Sequence, residues 1–310
     1  MLLINLPSVM LSTHHQVFIE VAREKSFSKA SDTLFISQPA ISKHIKQLEE
    51  YYKIKLFDRK GIHIELTTAG KLLQQRVLQV KAIQEETEFD LSLLNHQSPG
   101  KGILKLGAST TIALYILPKV LSMFLRQYPQ MEVTLLNRNS EIVLEALLNQ
   151  EINLGIIEGR EKLTNVVYQP FMNDRVIAVC SKKNSIAAKK KYALQEVTQM
   201  PIALRERGSG TLEALKYTLQ KHKIGLNDLQ VKARLGGTEA LKNFLIESDC
   251  VGFLPQRSVT KELKHGELTE IHFDGLLIER SFYFIQRKGE TSEMNKKLIQ
   301  QARKVYNVKL

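Results

Sequence analysis

One interruption constrains this chain more than any other feature. Ser98-Pro99-Gly100-Lys101-Gly102 is its clearest linker. Before it, apolar residues recur almost entirely at helical spacing. After it, short apolar runs alternate with amphipathic stretches. Two differently built parts are expected, and 310 residues leave room for two or three domains at roughly 100–200 residues each.

Upstream of the linker, Val17, Phe18, Val21 and Ala22 mark an amphipathic helix over about 13–24. Ser26 and Ser28 offer N-caps for a second helix carrying Ala30, Leu34 and Phe35. Ser37-Gln38-Pro39 opens a third, a cap followed by a proline where its missing N–H costs nothing. Ala40, Ile41, Ile45 and Leu48 form its apolar face, and Ser42, Lys43, Lys46 and Gln47 lie off it. Lys55-Leu56-Phe57 and Ile62–Leu66 read as a small hairpin turning at Asp58-Arg59-Lys60-Gly61. Thr67 then caps a helix over about 68–96. Its Leu73, Val77, Val80, Gln84, Thr87, Leu91 and Leu94 step by fours and threes, a coiled-coil seam with a polar centre.

Three short helices and a wing-like hairpin predict a winged helix-turn-helix. The helix at Ser37-Gln38-Pro39 would enter a major groove by its N-terminus. Gln38 could read a base edge. Ser42, Lys43 and Lys46 could meet bases or phosphates, and Arg59 and Lys60 would add phosphate contacts. The alternative is a small helical domain with a solvated polar face. Bulk charge does not decide between them. The whole chain carries +12, but residues 1–97 hold 12 Lys/Arg against 11 Asp/Glu, a net of +1. DNA binding must come from a few placed side chains.

Downstream, strands are expected at 103–107, 132–136 and 152–157, with helices at about 112–127 and 140–150 between and after them. An extended stretch follows at 166–180, then a Lys189-Lys190-Lys191 loop. Pro201–Leu204 is a strand entering Arg205-Glu206-Arg207-Gly208-Ser209-Gly210-Thr211. Helices at about 212–222 and 239–247 flank a strand at 229–234, and a strand at 282–286 and a helix at 292–305 close the chain. This is the rhythm of a parallel α/β sheet, with enough residues for two lobes. In three places a strand runs into hydroxyl- or glycine-rich residues that open a helix: Ser109-Thr110-Thr111, Gly208-Ser209-Gly210-Thr211, and Gly237-Thr238-Glu239. Free N–H groups at such helix starts attract anions. Arg205 or Arg207 could clamp a carboxylate, sulfate or phosphate. Ordinary helix capping would explain any one of the three, but three in equivalent positions favour a small anionic ligand.

The residues that carry a family likeness are Ser26-Phe27-Ser28-Lys29-Ala30, the run from Ser37 to Glu49, Leu56-Phe57-Asp58-Arg59, and Leu66-Thr67-Thr68-Ala69-Gly70. In type, order and spacing they closely resemble the DNA-binding region of LysR-type transcriptional regulators. The likeness continues to the C-terminus from about residue 10. Ser31 departs from the family's usual alanine, and Lys43 stands where Arg is common and loses its bidentate fork. The resemblance implies DNA contact at Ser28 and Lys29 as well, and an effector domain of two α/β lobes like a periplasmic binding protein. The ligand cleft would lie between the lobes, with Ser109, Thr110, Thr111, Arg205, Arg207, Gly208, Ser209, Gly210, Thr211, Gly237 and Thr238 at it. It also implies a homodimer through residues 68–96, a homotetramer beyond that, and room for RNA polymerase as a further partner. The cleft pattern resembles the branch that governs sulfur or carbon assimilation.

The expected division is a loose extension at 1–9, with Met10 as the alternative start, a winged domain at 10–67 and a dimerisation helix at 68–97. A hinge follows at 98–102, then lobe I at 103–172 and 278–310 and lobe II at 173–277. No export signal and only Cys180 and Cys250 point to the cytoplasm, and no apolar run reaches the roughly 18 residues a membrane span needs. No Lys follows the Gly-rich turn in P-loop form, no nucleophile elbow occurs, and the histidines lack metal-ligand spacing. The expectation is a regulator with no catalytic residues, no metal and no cofactor beyond its small anionic effector. The rivals are a solute-binding protein and an α/β enzyme with a helical N-terminal cap.

Overall fold

A computed structural model of the chain describes residues 10–60, 63–94, 100–159, 163–290 and 292–308, with backbone alone for Arg59, Lys60 and His63. The expected extension at 1–9 and the first part of the hinge at 98–102 lie outside the described residues. The chain divides into two compact units between Gly102 and Ile103.

The first unit begins with α1 (Thr13–Glu24), α2 (Phe27–Leu34) and α3 (Gln38–Tyr52). Each helix ends on a left-handed residue, Lys25, Phe35 and Lys53 in turn. Those stops make the turns short enough for Val17, Phe18, Val21, Ala30, Ile41, Ile45, Leu48 and Leu56 to share one core. Phe35 is a correction. It was expected beside Ala30 and Leu34, but as the C-cap of α2 it turns outward and is 89% exposed. The hairpin also differs. β1 (Phe57–Lys60) and β2 (His63–Leu66) pair antiparallel, with Arg59 opposite Ile64 and Lys60 opposite His63. Asp58, Arg59 and Lys60 therefore belong to a strand rather than to its turn.

Thr67 caps α4 (Thr68–Leu94) as expected. Its Oγ1 accepts from the Gly70 N–H at 2.9 Å and donates to the Lys55 carbonyl at 2.8 Å. At 1.5 Å per residue this helix is about 40 Å long. Along its seam Val77 is buried, while Leu91 and Leu94 stay exposed in the single chain.

The second unit is α/β. It contains β3 (Gly102–Ser109), α5 (Thr110–Tyr115), α6 (Leu117–Gln127), β4 (Met131–Arg138), α7 (Ser140–Leu148), β5 (Leu154–Glu158) and β6 (Val166–Ser181). Then come β7 (Lys191–Tyr192), β8 (Pro201–Arg205), α8 (Gly210–Lys221), β9 (Gln230–Leu235), α9 (Thr238–Glu247), β10 (Val251–Pro255), α10 (Thr260–His265), β11 (Leu268–Phe273), β12 (Ile278–Arg287) and α11 (Glu293–Val305). The single helix expected over 112–127 is two, because Pro118 sits in the first turn of α6 and cannot continue the helix before it. β10, α10 and β11 had no counterpart in the sequence reading.

The strands form one path, β4-β3-β5-β12-β6-β10-β8-β9, with β11 also on β6 and β7 on β11. Pairing is parallel for β3/β5, β8/β10 and β8/β9, and antiparallel wherever β6 or β12 takes part in the path. The sheet is thus mixed rather than parallel throughout. β6 runs unbroken past the expected lobe boundary at 172/173. Its first part pairs with β12, and its last part lies between β10 and β11. Around that second half the core has two faces. Cys180, Leu204, Leu215, Phe253 and Phe273 pack on one, and Val179, Leu241, Leu245 and Leu254 on the other. In the first half Val143, Leu147, Ile152, Ile157 and Ile285 pack together. Both cysteines are buried free thiols, and burial pushes Cys180 up to about 11.

Candidate functional site

In the helical unit, capping sets the presentation of α3. Ser37 accepts from the Ala40 N–H at 3.4 Å with proline in the first turn, so the helix starts where an apolar stripe can point inward. Ile41, Ile45 and Leu48 take that stripe. Ser37, Gln38, Pro39, Lys43 and Lys46 are exposed on the helix surface, with Ser42 half-buried. Gln38 Nε2 donates to Ser42 Oγ at 3.1 Å, so the two share one polar edge. Ser28 and Lys29 are exposed on α2, whose actual cap is Ser26, accepting from the Lys29 N–H. The side chains of Arg59 and Lys60 lie outside the described residues.

In the α/β unit, one small cleft gathers Ser109, Thr110, Thr111, Asn139, Ser140, Glu158, Arg205, Ser209, Gly210 and Thr211. The side chains close in on one another and leave about 160 Å³ between them, open solvent included. Six expected residues are brought together with Arg205: the hydroxyls opening α5 and the Ser-Gly-Thr opening α8. Two glycines make the second loop possible. Gly208 has a φ of +79°, which suits glycine. Gly210 passes so close to Glu158 that a Cβ would fall 2.6 Å from the Glu158 Cβ.

The cleft's centre is a residue the sequence reading missed. Arg280, 6% exposed and on β12, donates to Thr111 Oγ1 at 3.0 Å and to Thr211 Oγ1 at 2.8 Å. Its Nε and Nη2 reach Asp174 Oδ2 at 3.0 and 2.8 Å, and its Nη1 lies 2.8 Å from Glu158 Oε1. Arg280 and Asp174 face each other across the β12/β6 ladder. Ser140 Oγ donates to Glu158 Oε2 at 2.7 Å. Burial works to raise the Glu158 pKa, but Arg280, Ser140 and Ser109 outweigh it and hold the carboxyl below its ordinary range. Arg257 holds the other Asp174 oxygen at 2.8 Å.

Four expected residues do not line the cleft, and of these Gly208 only shapes the loop. Arg207 is exposed and does not line the cleft; only its carbonyl takes part, accepting from Asn139 Nδ2 at 3.2 Å. Gly237 and Thr238 serve a second, internal site. The Gly237 N–H donates to Glu206 Oε2 at 3.2 Å, and Thr238 accepts from Arg205 Nη1 at 2.7 Å. The start of α9 is thus met by the chain's own Glu206. Arg205 is not an open clamp either, since its Nε and Nη2 grip Glu206 at 2.8 and 2.9 Å. Asn139 and Ser140, also missed, repeat the pattern of a strand running into a capping pair and a helix, so a consistent search would have found them. Farther along, Tyr115 on α5 donates to Glu239 on α9, and Lys242 bridges Glu239 and Glu262. Among the described residues no group of three His, Cys, Asp or Glu is placed to hold a metal ion, and no helix is long and apolar enough to cross a membrane.

Two family models match this architecture. Residues 13–71 match the bacterial regulatory helix-turn-helix protein, lysR family, and residues 97–307 match the LysR substrate binding domain. The chain is similar to the HTH-type transcriptional regulator CysL of Bacillus subtilis (strain 168), with 29% identity over 285 residues, covering 91% of this chain and 93% of that protein. The regulatory domain of CcmR from Synechocystis PCC6803, solved in complex with 2-PG, is 25% identical at a TM-score of 0.59, covering 66% of this chain and 96% of that one. Full-length CbnR complexed with its target DNA shares the fold at a TM-score of 0.65 and 18% identity, over 94% of this chain and 98% of that one.

Proposed function

The chain belongs to the LysR family of transcriptional regulators, and from that premise we propose that it reads promoter DNA with α3 and senses a small anionic metabolite in the interlobe cleft. It is a regulator, like the relatives it resembles, and not an enzyme. It works in the cytoplasm, where its DNA is, as a homodimer through residues 68–96 that pairs into a tetramer, with RNA polymerase as a further partner. It uses no cofactor beyond its effector.

One observation carries the reading of the cleft. Thr111 opens α5 and Thr211 opens α8, and both hydroxyls meet on the single Arg280 guanidinium. A ligand engaging those hydroxyls acts on both lobes at once. Its differential affinity for their open and closed arrangements then becomes a coupling free energy. In the assembly that coupling changes the spacing of the winged domains and relaxes the bend they impose on DNA. The solved CcmR complex with 2-PG supports a small-ligand site in this kind of domain.

The test has two arms. A footprint upstream of the protein's own gene at moderate salt shows a protected site that Lys43→Ala and Lys46→Ala weaken. No protection, or protection indifferent to both changes, sinks the DNA reading. Calorimetry with sulfate, phosphate and small carboxylates shows binding that Thr110→Ala and Thr211→Ala reduce. Binding unchanged in both proteins refutes the cleft assignment.

A further inference from the structure

We propose that Glu158 makes this cleft selective for oxoanions that still carry a proton, against fully deprotonated ones of the same shape. The inference rests on the reading of the cleft as an anion site and narrows what that site accepts.

The position of the carboxylate is the starting point. Glu158 ends β5 and is 4% exposed. It lies between the starts of α7 and α8. Ser140, opening α7, donates to its Oε2, and Gly210, opening α8, sits beneath it, where a Cβ would come 2.9 Å from the same Oε2. The surrounding Ser109, Thr110, Thr111, Ser209 and Thr211 are the hydroxyls expected to hold the ligand. The chain's own carboxylate already stands among them.

The described charges around it pair off with one another. Arg280 from β12 faces Glu158 directly, Asp174 from β6 shares that guanidinium, and Arg257 holds the far side of Asp174. Arg205 from β8 lines the same cleft and is paired with Glu206. Among the described residues three arginines thus stand against three carboxylates, a formal sum of zero, and no unpaired cation among them waits for an incoming charge.

The consequence follows from hydrogen-bond chemistry. An ionised carboxylate only accepts. An oxoanion oxygen without a proton, brought beside Glu158, faces another acceptor and adds a buried negative charge that nothing offsets. An oxoanion with a proton donates it in a short charge-assisted bond to Glu158. The serine and threonine hydroxyls can rotate to serve the remaining oxygens, since each both donates and accepts. Discrimination comes from the repulsive element built against the wrong ligand. Sulfate, phosphate and sulfite isolate the effect. They are similar in size, but phosphate and sulfite keep a proton near neutral pH and sulfate does not.

Calorimetry on the full-length protein with these three inorganic anions tests it. At neutral pH the native protein is expected to bind phosphate or sulfite about tenfold or more tighter than sulfate. Glu158→Gln, whose amide can donate, is expected to tighten sulfate by about tenfold and erase the preference. In the native protein sulfite affinity falls about tenfold per pH unit once the ligand loses its proton, because one proton is linked to binding; in Glu158→Gln that dependence is flat. Equal affinity for sulfate and sulfite in the native protein, or a ratio that Glu158→Gln leaves unchanged, overturns the proposal while the cleft remains an anion site. If Glu158→Gln does not fold, the native pH series decides, and a flat series overturns it. No binding of any of the three to either protein overturns both this proposal and the anion reading beneath it.

Discussion

Lys46 and Arg280 are both cations on regular elements, and the two units treat them in opposite ways. The Lys46 side chain is 75% exposed and lies 3.6 Å from Glu50, itself exposed. Arg280 is buried against Glu158, Asp174, Thr111 and Thr211. A pair of the first kind contributes about 0–1 kcal/mol and leaves the charge ready for a phosphate. A group of the second kind is costly to bury and still costlier to break. The helical unit keeps its proposed contact residues open on a pre-capped scaffold. The α/β unit spends its polar groups on one another, so a ligand there must compete with an existing network.

The largest expected effect breaks that network. Arg280→Met leaves Glu158 and Asp174 buried without their shared guanidinium and should cost about 3–5 kcal/mol of stability. Lys46→Met should change stability by about 0.5 kcal/mol or less. Urea unfolding of both variants measures the contrast. Similar midpoints for the two would mean that the cleft cluster is not the structural knot its geometry indicates.

The next effect belongs to recognition. Gln38→Ala should remove about 1–3 kcal/mol of discrimination at one base pair, with little loss of stability because Gln38 is exposed. Binding titrations against a panel of single-base operator variants read it. A uniform loss across the panel would move Gln38 from base reading to phosphate contact. A smaller effect, about 1 kcal/mol, is expected from Thr67→Ala, which removes the cap of α4 and its bond to the Lys55 carbonyl. A thermal melt unchanged by that substitution would mean that packing alone holds the wing to the long helix.

The two units also differed in how much of them could be read beforehand. The helical unit was legible because its signals are local. Ser26, Ser37 and Thr67 each cap a helix within three residues of themselves, and the apolar stripe of α3 repeats every turn. Phe35 escaped because an apolar residue directly after the core-packed Leu34 looks the same whether the helix continues or stops. In the α/β unit the glycine and hydroxyl loops were equally local, so Ser109–Thr111 and Ser209–Thr211 were found. Arg280 was not. The strand expected at 282–286 began two residues after it, and nothing in Ile278-Glu279-Arg280-Ser281 marked a site. Only the pairing of β12 with β6, more than 100 residues away in sequence, puts Arg280 opposite Asp174. Arg205 misled for a different reason: sequence showed an arginine entering a glycine-rich turn, and the periodicity did not show that its neighbour Glu206 would occupy it.

The smallest expected effect sharpens the comparison by pH, because each unit contains a group whose pKa is depressed. In the helical unit His44 on α3 meets His14 on α1, Nδ1 to Nδ1 at 3.0 Å. Burial, then His14, then Lys43 lower the His44 pKa from 6.5. Its stabilising contribution is therefore complete above 6.5 and lost as pH falls through the lower folded value. In the α/β unit Glu158 is depressed from 4.5, so its contribution is complete above 4.5 and lost as pH falls through its own folded value. The helical unit should weaken first on acidification, with the cleft holding on. A pH series of urea unfolding checks this, with His44→Gln expected to reduce the slope just below 6.5 and Glu158→Gln expected to flatten it only below 4.5. A His44→Gln curve that matches the native one throughout would show that His44 carries no proton linkage, and the helical unit would then owe its pH response to the solvated surface that sets it apart from the cleft.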